Sequence, residues 1–407
     1  SDKKTAITSE VTELLHELME ITKTAASDFD FWDRTHTAKE SFREKTRLGI
    51  SGTDVVLTIN EIRLILSAIK GKLLESLKKI ENLSVNGVIP TCFAFTPDSY
   101  EINDNAYESM SASAKARAKP PAGDHQAGAT EAMRAMMGEK TPSLIIRSFK
   151  RKDLPLFLEG PVHYLRLCPE KNIAENFHKS ILSSPLYDKK LNMFKINAPI
   201  ASAGQDIGRI TVFTPGWLEN ESVWLHMEYK YLLELLRSGM AGEFYTIAKT
   251  ALIPFLDPDV YGRSILENSS FIASSAHPEE SFHGQGFVAR LSGATAEFIS
   301  MWIAITSGLK PFTLCEGELC FALKPCINES FFTENNTFSF NFLGSCKVVY
   351  HNDSRKNTYG PDGASVQSYR ITFKDGAVLE VNEPVIKGEK ARAIREGKAA
   401  KIDCCLR

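Results

Sequence analysis

The chain has 407 residues, 43% of them hydrophobic and 24% charged, with a formal net charge of -2. That content supports a large folded core, and the near-neutral balance excludes a broad basic nucleic-acid surface or an acidic solvating tail. No apolar run approaches the roughly 18–20 residues needed to cross a bilayer, so neither nucleic acid nor a membrane is expected as a partner. The chain opens Ser1-Asp2-Lys3-Lys4-Thr5, without an initiator Met or a signal-peptide pattern, and reads as a piece of a longer protein. Eight cysteines without a Cys-x-x-Cys pair read as reduced thiols in the cytoplasm.

Apolar residues at Val11, Leu14, Leu15, Leu18, Met19 and Ile21 recur near the 3.6 period and predict a helix over 8–26. A short charged helix is expected over 38–47. A longer amphipathic one is expected over 53–80, carried by Ile59, Ile62, Ile65, Ile69 and Leu73. Residues 105–150 are dominated by Ala, Lys, Ser, Gly and Met and read as a flexible insertion. Helical patterns resume over 172–182, 222–238, 242–253 and 295–306. After Lys310-Pro311 the texture becomes short alternating segments, such as 318–323, 337–343, 346–350, 368–373 and 377–381. Turns such as Asp375-Gly376 separate them, which predicts an antiparallel β unit of five or more strands.

Three stretches are dense in residues that a packed core does not need. They run from Phe29 to His36, from Phe213 to His226, and from Tyr261 to Thr295. Each interleaves aromatic rings with carboxylates, amides and His ahead of a helical pattern. Aromatic faces stack on sugar rings, acids and amides bind hydroxyls, and loops at helix N-termini suit anions. No Gly-x-Ser-x-Gly, His-Glu-x-x-His or Walker pattern occurs. Gly284-Gln285-Gly286-Phe287-Val288-Ala289 fits a loose dinucleotide fingerprint, but no strand–helix unit is expected around it.

The order of these segments resembles the glycoside hydrolase family 94 phosphorylases, above all large cellobiose-phosphorylase-like proteins that share the Phe-Trp-Asp, Leu-Glu-Asn-Glu and Ala-Arg-Leu-Ser-Gly segments. The resemblance covers most of the chain outside 105–150. It implies a mainly α chain: part of an (α/α)6 toroid over 1–309, followed by the antiparallel β unit over 310–407. It also implies inverting phosphorolysis of β-glucosides or β-glucan oligosaccharides to an α-sugar 1-phosphate. Inorganic phosphate would be the co-substrate, with no cofactor and no metal. The partners implied are the oligosaccharide, the N-terminal remainder of the parent chain, and a second copy in a homodimer.

Residue by residue, Asp30-Phe31-Trp32-Asp33 stands where the family has Asp-Trp-Asn-Asp, which makes Asp33 the general acid and Asp30 a sugar ligand. The middle residues differ. Pro215-Gly216 and Glu219-Asn220-Glu221-Ser222 lead to His226, which would bind phosphate; two family glycines are replaced here. Arg263 stands where the family has a phosphate-contacting Gln, and a guanidinium there would bind phosphate as a bidentate donor. The Ser292-Gly293-Ala294-Thr295 turn resembles Thr-Gly-Thr-Ala and would cradle phosphate at a helix start. Trp217, Glu219, Glu221 and Glu267 are the remaining sugar-binding candidates. A phosphorylase needs one acid plus an anion site, whereas an inverting hydrolase needs an acid and a base.

Local pattern offers plainer roles as well. Asp33 also suits a helix N-cap for a segment beginning near Thr35, His226 a core His, and Arg263 a partner for Asp257 or Asp259. Two further readings stand beside phosphorolysis. One is an inverting hydrolase or transglycosylase with Glu219, Glu221 or Glu267 as base. The other is a non-catalytic fragment of a larger enzyme.

Overall fold

The computed structural model describes residues 4–91, 93–103, 143–168, 170–288 and 293–407. The chain divides into two units, Ser1–Ser84 and Val85–Arg407.

In the first unit, two short strands each run straight into a helix. Strand β1 (Lys4–Thr8) pairs antiparallel with β2 (Asp54–Thr58), Lys4 opposite Thr58 and Thr8 opposite Asp54. Helix α1 (Ser9–Thr24) follows β1, and α3 (Ile59–Glu81) follows β2. The second transition is fixed by a capping box. Thr58 accepts from the Glu61 backbone N–H, and the Glu61 carboxylate accepts from the Thr58 N–H at 2.7 Å. Helix α2 (Asp28–Thr46) starts at Ser27, whose hydroxyl accepts from the Asp30 N–H at 3.0 Å. The stretch from Phe29 to His36 therefore lies inside a helix, ten residues ahead of the expected start at 38. Asp33 caps no segment beginning near Thr35. Ile21, Ala38, Leu57 and Ile65 form the small core of this unit.

The second unit opens with a long antiparallel ribbon, β3 (Phe93–Asn103) against β4 (Ser143–Asp153). Of the insertion expected over 105–150, residues 143–150 belong to β4, and 105–142 lie outside the described residues. Helices α4 (Glu159–Leu167), α5 (Lys171–Leu182), α6 (Leu225–Arg237), α7 (Ala241–Ala251), α8 (Pro258–Tyr261) and α9 (Gly293–Ser307) follow. Between them lie the pair β5 (Tyr187–Asp188) and β6 (Met193–Phe194), and a three-stranded sheet of β7 (Val223–Trp224), β8 (Phe271–Ile272) and β9 (Gly286–Phe287).

The C-terminal strands form two sheets. Strands β10 (Phe312–Cys315), β11 (Glu318–Phe321) and β16 (Ile386–Lys387) make one of them, and helix α10 (Gly388–Arg395) packs against β11. The other has the order β12-β13-β17-β14-β15, built from Thr337–Phe342, Cys346–His351, Ala399–Leu406, Val366–Phe373 and Val378–Val381. All its pairs are antiparallel except β13 with β17. Two tyrosines tie these sheets to the helices. Tyr350 donates to the Thr306 carbonyl at 2.6 Å, and Tyr245 to the Cys326 carbonyl at 2.7 Å.

The expectation of a mainly α chain built on part of an (α/α)6 toroid is overturned. The described residues are 42% helix and 24% strand, with six small, mostly antiparallel sheets, which is a mixed α and β architecture. The physical reason is strand length. Strands of two residues, such as β5 to β9, are too short to display an alternating pattern, and the β1–β2 ladder was absorbed into the helical stretches that follow it. No helix among the described residues is long and apolar enough to cross a membrane.

Helix α6 is the centre of the second unit and packs against α4, α7 and α9. Tyr229, Tyr231, Leu232, Leu233 and Leu235 are all buried, and so are the carboxylates of Glu228 and Glu234. Each fully buried Leu contributes about 1.5–3 kcal/mol, whereas each buried carboxylate is costly unless paired. Glu234 receives Arg166 and Arg237 at 2.7 Å each. Glu228 has only the Phe194 backbone N–H at 2.9 Å on one oxygen, and its other oxygen has no partner. Burial pushes its carboxyl up to about 8, so it is held protonated at neutral pH. Beside it, the His178 ring meets the Tyr231 hydroxyl at 2.8 Å, and burial holds that imidazole down to about 4.

Because Glu228 takes up its proton more readily folded than unfolded, its contribution to stability is complete below the ordinary carboxylate range and is lost as pH rises through about 8. Glu228→Gln should therefore unfold at the same temperature as the parent at pH 5 and at a higher one at pH 9. The gap should be on the order of a few kcal/mol. Thermal melts across that range check it, and equal melting temperatures at pH 9 would remove the buried neutral carboxyl from the account.

Candidate functional site

The second and third aromatic-rich stretches meet at the β7–β8–β9 sheet. Val223 pairs with Ile272, Trp224 with Phe271, and Phe271 in turn with Phe287. Trp217 sits among Phe271, Phe287, Phe282 and His277, with ring centroids 4.4–6.0 Å away. Gly216 allows this approach, since a Cβ there would lie 2.4 Å from the His277 nitrogen, and its φ of +79° suits glycine. Trp224 stacks over Phe271 and donates its indole N–H to the Leu218 carbonyl at 2.7 Å.

Asn197 is fully buried and holds the turn between these parts. Its amide donates to the Glu219 carbonyl at 2.5 Å, and its oxygen accepts from the Glu221 N–H at 2.7 Å. Glu221 has φ +58° and closes on Lys195 at 2.7 Å. It is thus a buried ion-paired carboxylate, although the resemblance implies a sugar ligand. Arg263 pairs with Glu267 at 3.0 Å rather than with Asp257 or Asp259, and Asp257 instead caps α8. The Arg263 Nε is buried without a partner, as are Asn220 Oδ1 and Ser270 Oγ in the loops around the same sheet. Buried unpaired polar atoms are uncommon in folded proteins, so their gathering here sets this region apart.

Trp224 leads straight into α6, which begins without a side-chain cap. His226, half-buried, is the second residue of that helix, and Gly293 is the first residue of α9. A Cβ on Gly293 would fall 2.7 Å from His226 Cδ2 and 3.0 Å from its Cγ and Nε2, so the imidazole lies against the bare glycine backbone. One turn further on, the Tyr229 and Phe298 rings stand 6.0 Å apart. The two helices therefore run side by side in the same direction, with their N-termini together. Helix N-termini, with their positive dipole ends, favour an anion; at α6 the Leu225 N–H is already taken by the Ser270 carbonyl at 3.2 Å. Burial and the nearby Lys230 ammonium hold the His226 imidazole below its ordinary value, against the opposing pull of Glu297 and Glu159. Tyr229 also donates to Asn268 Oδ1 at 3.0 Å, which ties the loop carrying Arg263 and Glu267 to α6.

Thus the structure brings His226 and Gly293 together, pairs Arg263 with Glu267, and anchors Glu219 and Glu221 through Asn197. Ser292 lies outside the described residues. Asp33 and Asp30 belong to the first unit. Asp33 is exposed on α2, while Asp30 accepts from the Ala26 N–H at 2.9 Å and meets Arg34 at 3.4 Å. Sequence reasoning missed Asn197 and Lys195, whose only signal is a polar pair flanking Ile196 just before a proline. Among the described residues no three His, Cys, Asp or Glu side chains converge to hold a metal. No family model matches the chain, and no curated protein matches it.

A methyl group at position 293 must displace the His226 ring. Gly293→Ala should lower stability by about 1–3 kcal/mol, and much less in a His226→Ala background, where the obstacle is gone. Urea unfolding of the two single variants and the double variant measures this coupling. Full additivity would mean that the ring and the glycine are not in contact.

Proposed function

We propose that this chain is a carbohydrate phosphorylase whose phosphate side is built from His226, Arg263 and Gly293, with Ser292 added by the motif resemblance. The observation that carries this reading is the seating of the His226 imidazole on Gly293 where α6 and α9 both begin. Two helix starts and an imidazole suit an oxyanion better than a neutral water. The motif resemblance adds the carbohydrate half of the reading.

The chemistry is direct displacement with inversion. A carboxylic acid protonates the glycosidic oxygen. Phosphate attacks C1 from the opposite face, the C1–O bond breaks, and a β-glucoside yields an α-sugar 1-phosphate. Arg263 already shares one guanidinium nitrogen with Glu267, so its phosphate contact would use what remains of the fork. Two of the three acids that hydrolysis or transglycosylation would recruit as base are occupied: Glu221 by Lys195 and Glu267 by Arg263. This favours phosphate over activated water. We place the activity in the cytoplasm, in keeping with the free thiols of the described cysteines.

Incubating the full chain with α-glucose 1-phosphate and a panel of β-glucoside acceptors should release inorganic phosphate. His226→Ala should reduce that release by about a hundredfold or more. Absence of phosphate release with every acceptor at several pH values, or release of reducing sugar without any need for phosphate, would sink the phosphorylase reading.

A further inference from the structure

At the opposite end of α6 from His226, roughly 20 Å along the helix, lies a cavity of about 520 Å³. It opens between the turn at Gly239, the first residues of α7, and the loop of residues 356–363. Its size falls within the range of small-molecule sites, about 300–1,000 Å³. Nothing in the proposed chemistry uses it.

The wall is a fixed aromatic ring. Tyr359 stacks on Tyr245 with centroids 5.3 Å apart and planes 18° from parallel. Its hydroxyl accepts from Asn328 at 2.8 Å. One face of this ring is taken by Tyr245, and Tyr359 lines the cavity. The loop is set in advance by its own bonds. Buried Asn352 donates to the Lys356 carbonyl at 2.7 Å, and Thr358 exchanges bonds with the backbone of Ile327. Asn357 gives its oxygen to the Glu329 N–H at 2.8 Å, which leaves its amide N–H groups to donate.

The polar lining decides the class of ligand. Glu243, Glu329 and Asp362 face Lys171 and Lys356, so neither sign dominates and a strongly charged ligand gains little. Carboxylates that accept, an amide and an ammonium that donate, and an aromatic ring in the lining match a neutral polyhydroxylated ring. Gly242 and Gly360 have no atom within 4 Å of a built Cβ, so the backbone there leaves room for a ligand.

We propose that this cavity is a second carbohydrate site, which holds a unit of a gluco-oligosaccharide on Tyr359 away from the reaction centre. It takes its substrate class from the phosphorylase reading. The test is calorimetric titration of the full chain, in the His226→Ala background, with laminaritetraose and with cellotetraose. Binding should persist there and weaken by about tenfold or more on adding Tyr359→Ala. It should weaken equally on adding Gly242→Leu, which fills the cavity from a helical position with open space before it and spares the aromatic stack. Tyr359→Ala alone should leave turnover with a short acceptor unchanged. Tyr359-dependent binding in a protein without phosphorolysis would support the site and overturn the reaction assigned above. Phosphorolysis with binding indifferent to both variants would overturn the site and leave the reaction standing.

Discussion

Helix α6 has almost no solvent face, and the second unit is arranged around that fact. A helix buried over most of its surface cannot leave its inward polar residues to water, so most of them take partners, chiefly on neighbouring elements. Glu234 draws in Arg166 from α4 and Arg237 from its own last turn. Tyr231 takes His178 from α5, and Glu228 takes the backbone of β6 at Phe194. Tyr229 reaches Asn268 and the backbone N–H of Ile253. The same residues that bury α6 thereby fix where α4, α5, β6 and the loop from Tyr261 to Ser270 lie. The start of α6, with His226, inherits its position from this arrangement.

Periodicity made the long elements legible. The expected helices over 8–26, 172–182, 242–253 and 295–306 correspond to α1, α5, α7 and α9 within a few residues, because each buries one face at the 3.6 spacing. The alternating C-terminal segments correspond to β11 through β15 for the analogous reason at period two. What escaped was set by contacts distant in sequence. Val223 reads as a helix residue next to Leu225 until Ile272 pairs with it. Strand β17 falls in none of the alternating segments named above, yet its central position between β13 and β14 buries Ile402, Cys404 and Leu406. No local pattern reports a partner that lies fifty residues away.

The candidate site was legible to a different degree on its two sides. The pairing of His226 with Gly293 follows from two motifs that local structure then placed at helix starts, where side-chain direction is constrained. The carboxylates were harder to assign. Glu221 and Glu267 carry the same charge in the sequence whether they meet a sugar or a cation, and only the fold brings Lys195 and Arg263 against them. Asp33 shows the limit from the other direction. Its neighbours suggested a loop before a helix, but Ser27 starts α2 six residues earlier and puts Asp33 within the helix.

On the phosphorylase reading proposed above, the depressed proton affinity of His226 suits a phosphate site better than its low basicity first suggests. Before phosphate binds, an imidazolium would repel Lys230 and would rely on Glu297 or Glu159, which would then oppose the phosphate. A neutral imidazole avoids both penalties and still offers one N–H donor. When a dianion arrives, its charge pulls the ring back toward its ordinary proton affinity, so the site can gain a proton as it gains a ligand. Burial against Gly293 is what makes this exchange possible. It adds to the burial that holds the proton affinity of the ring down.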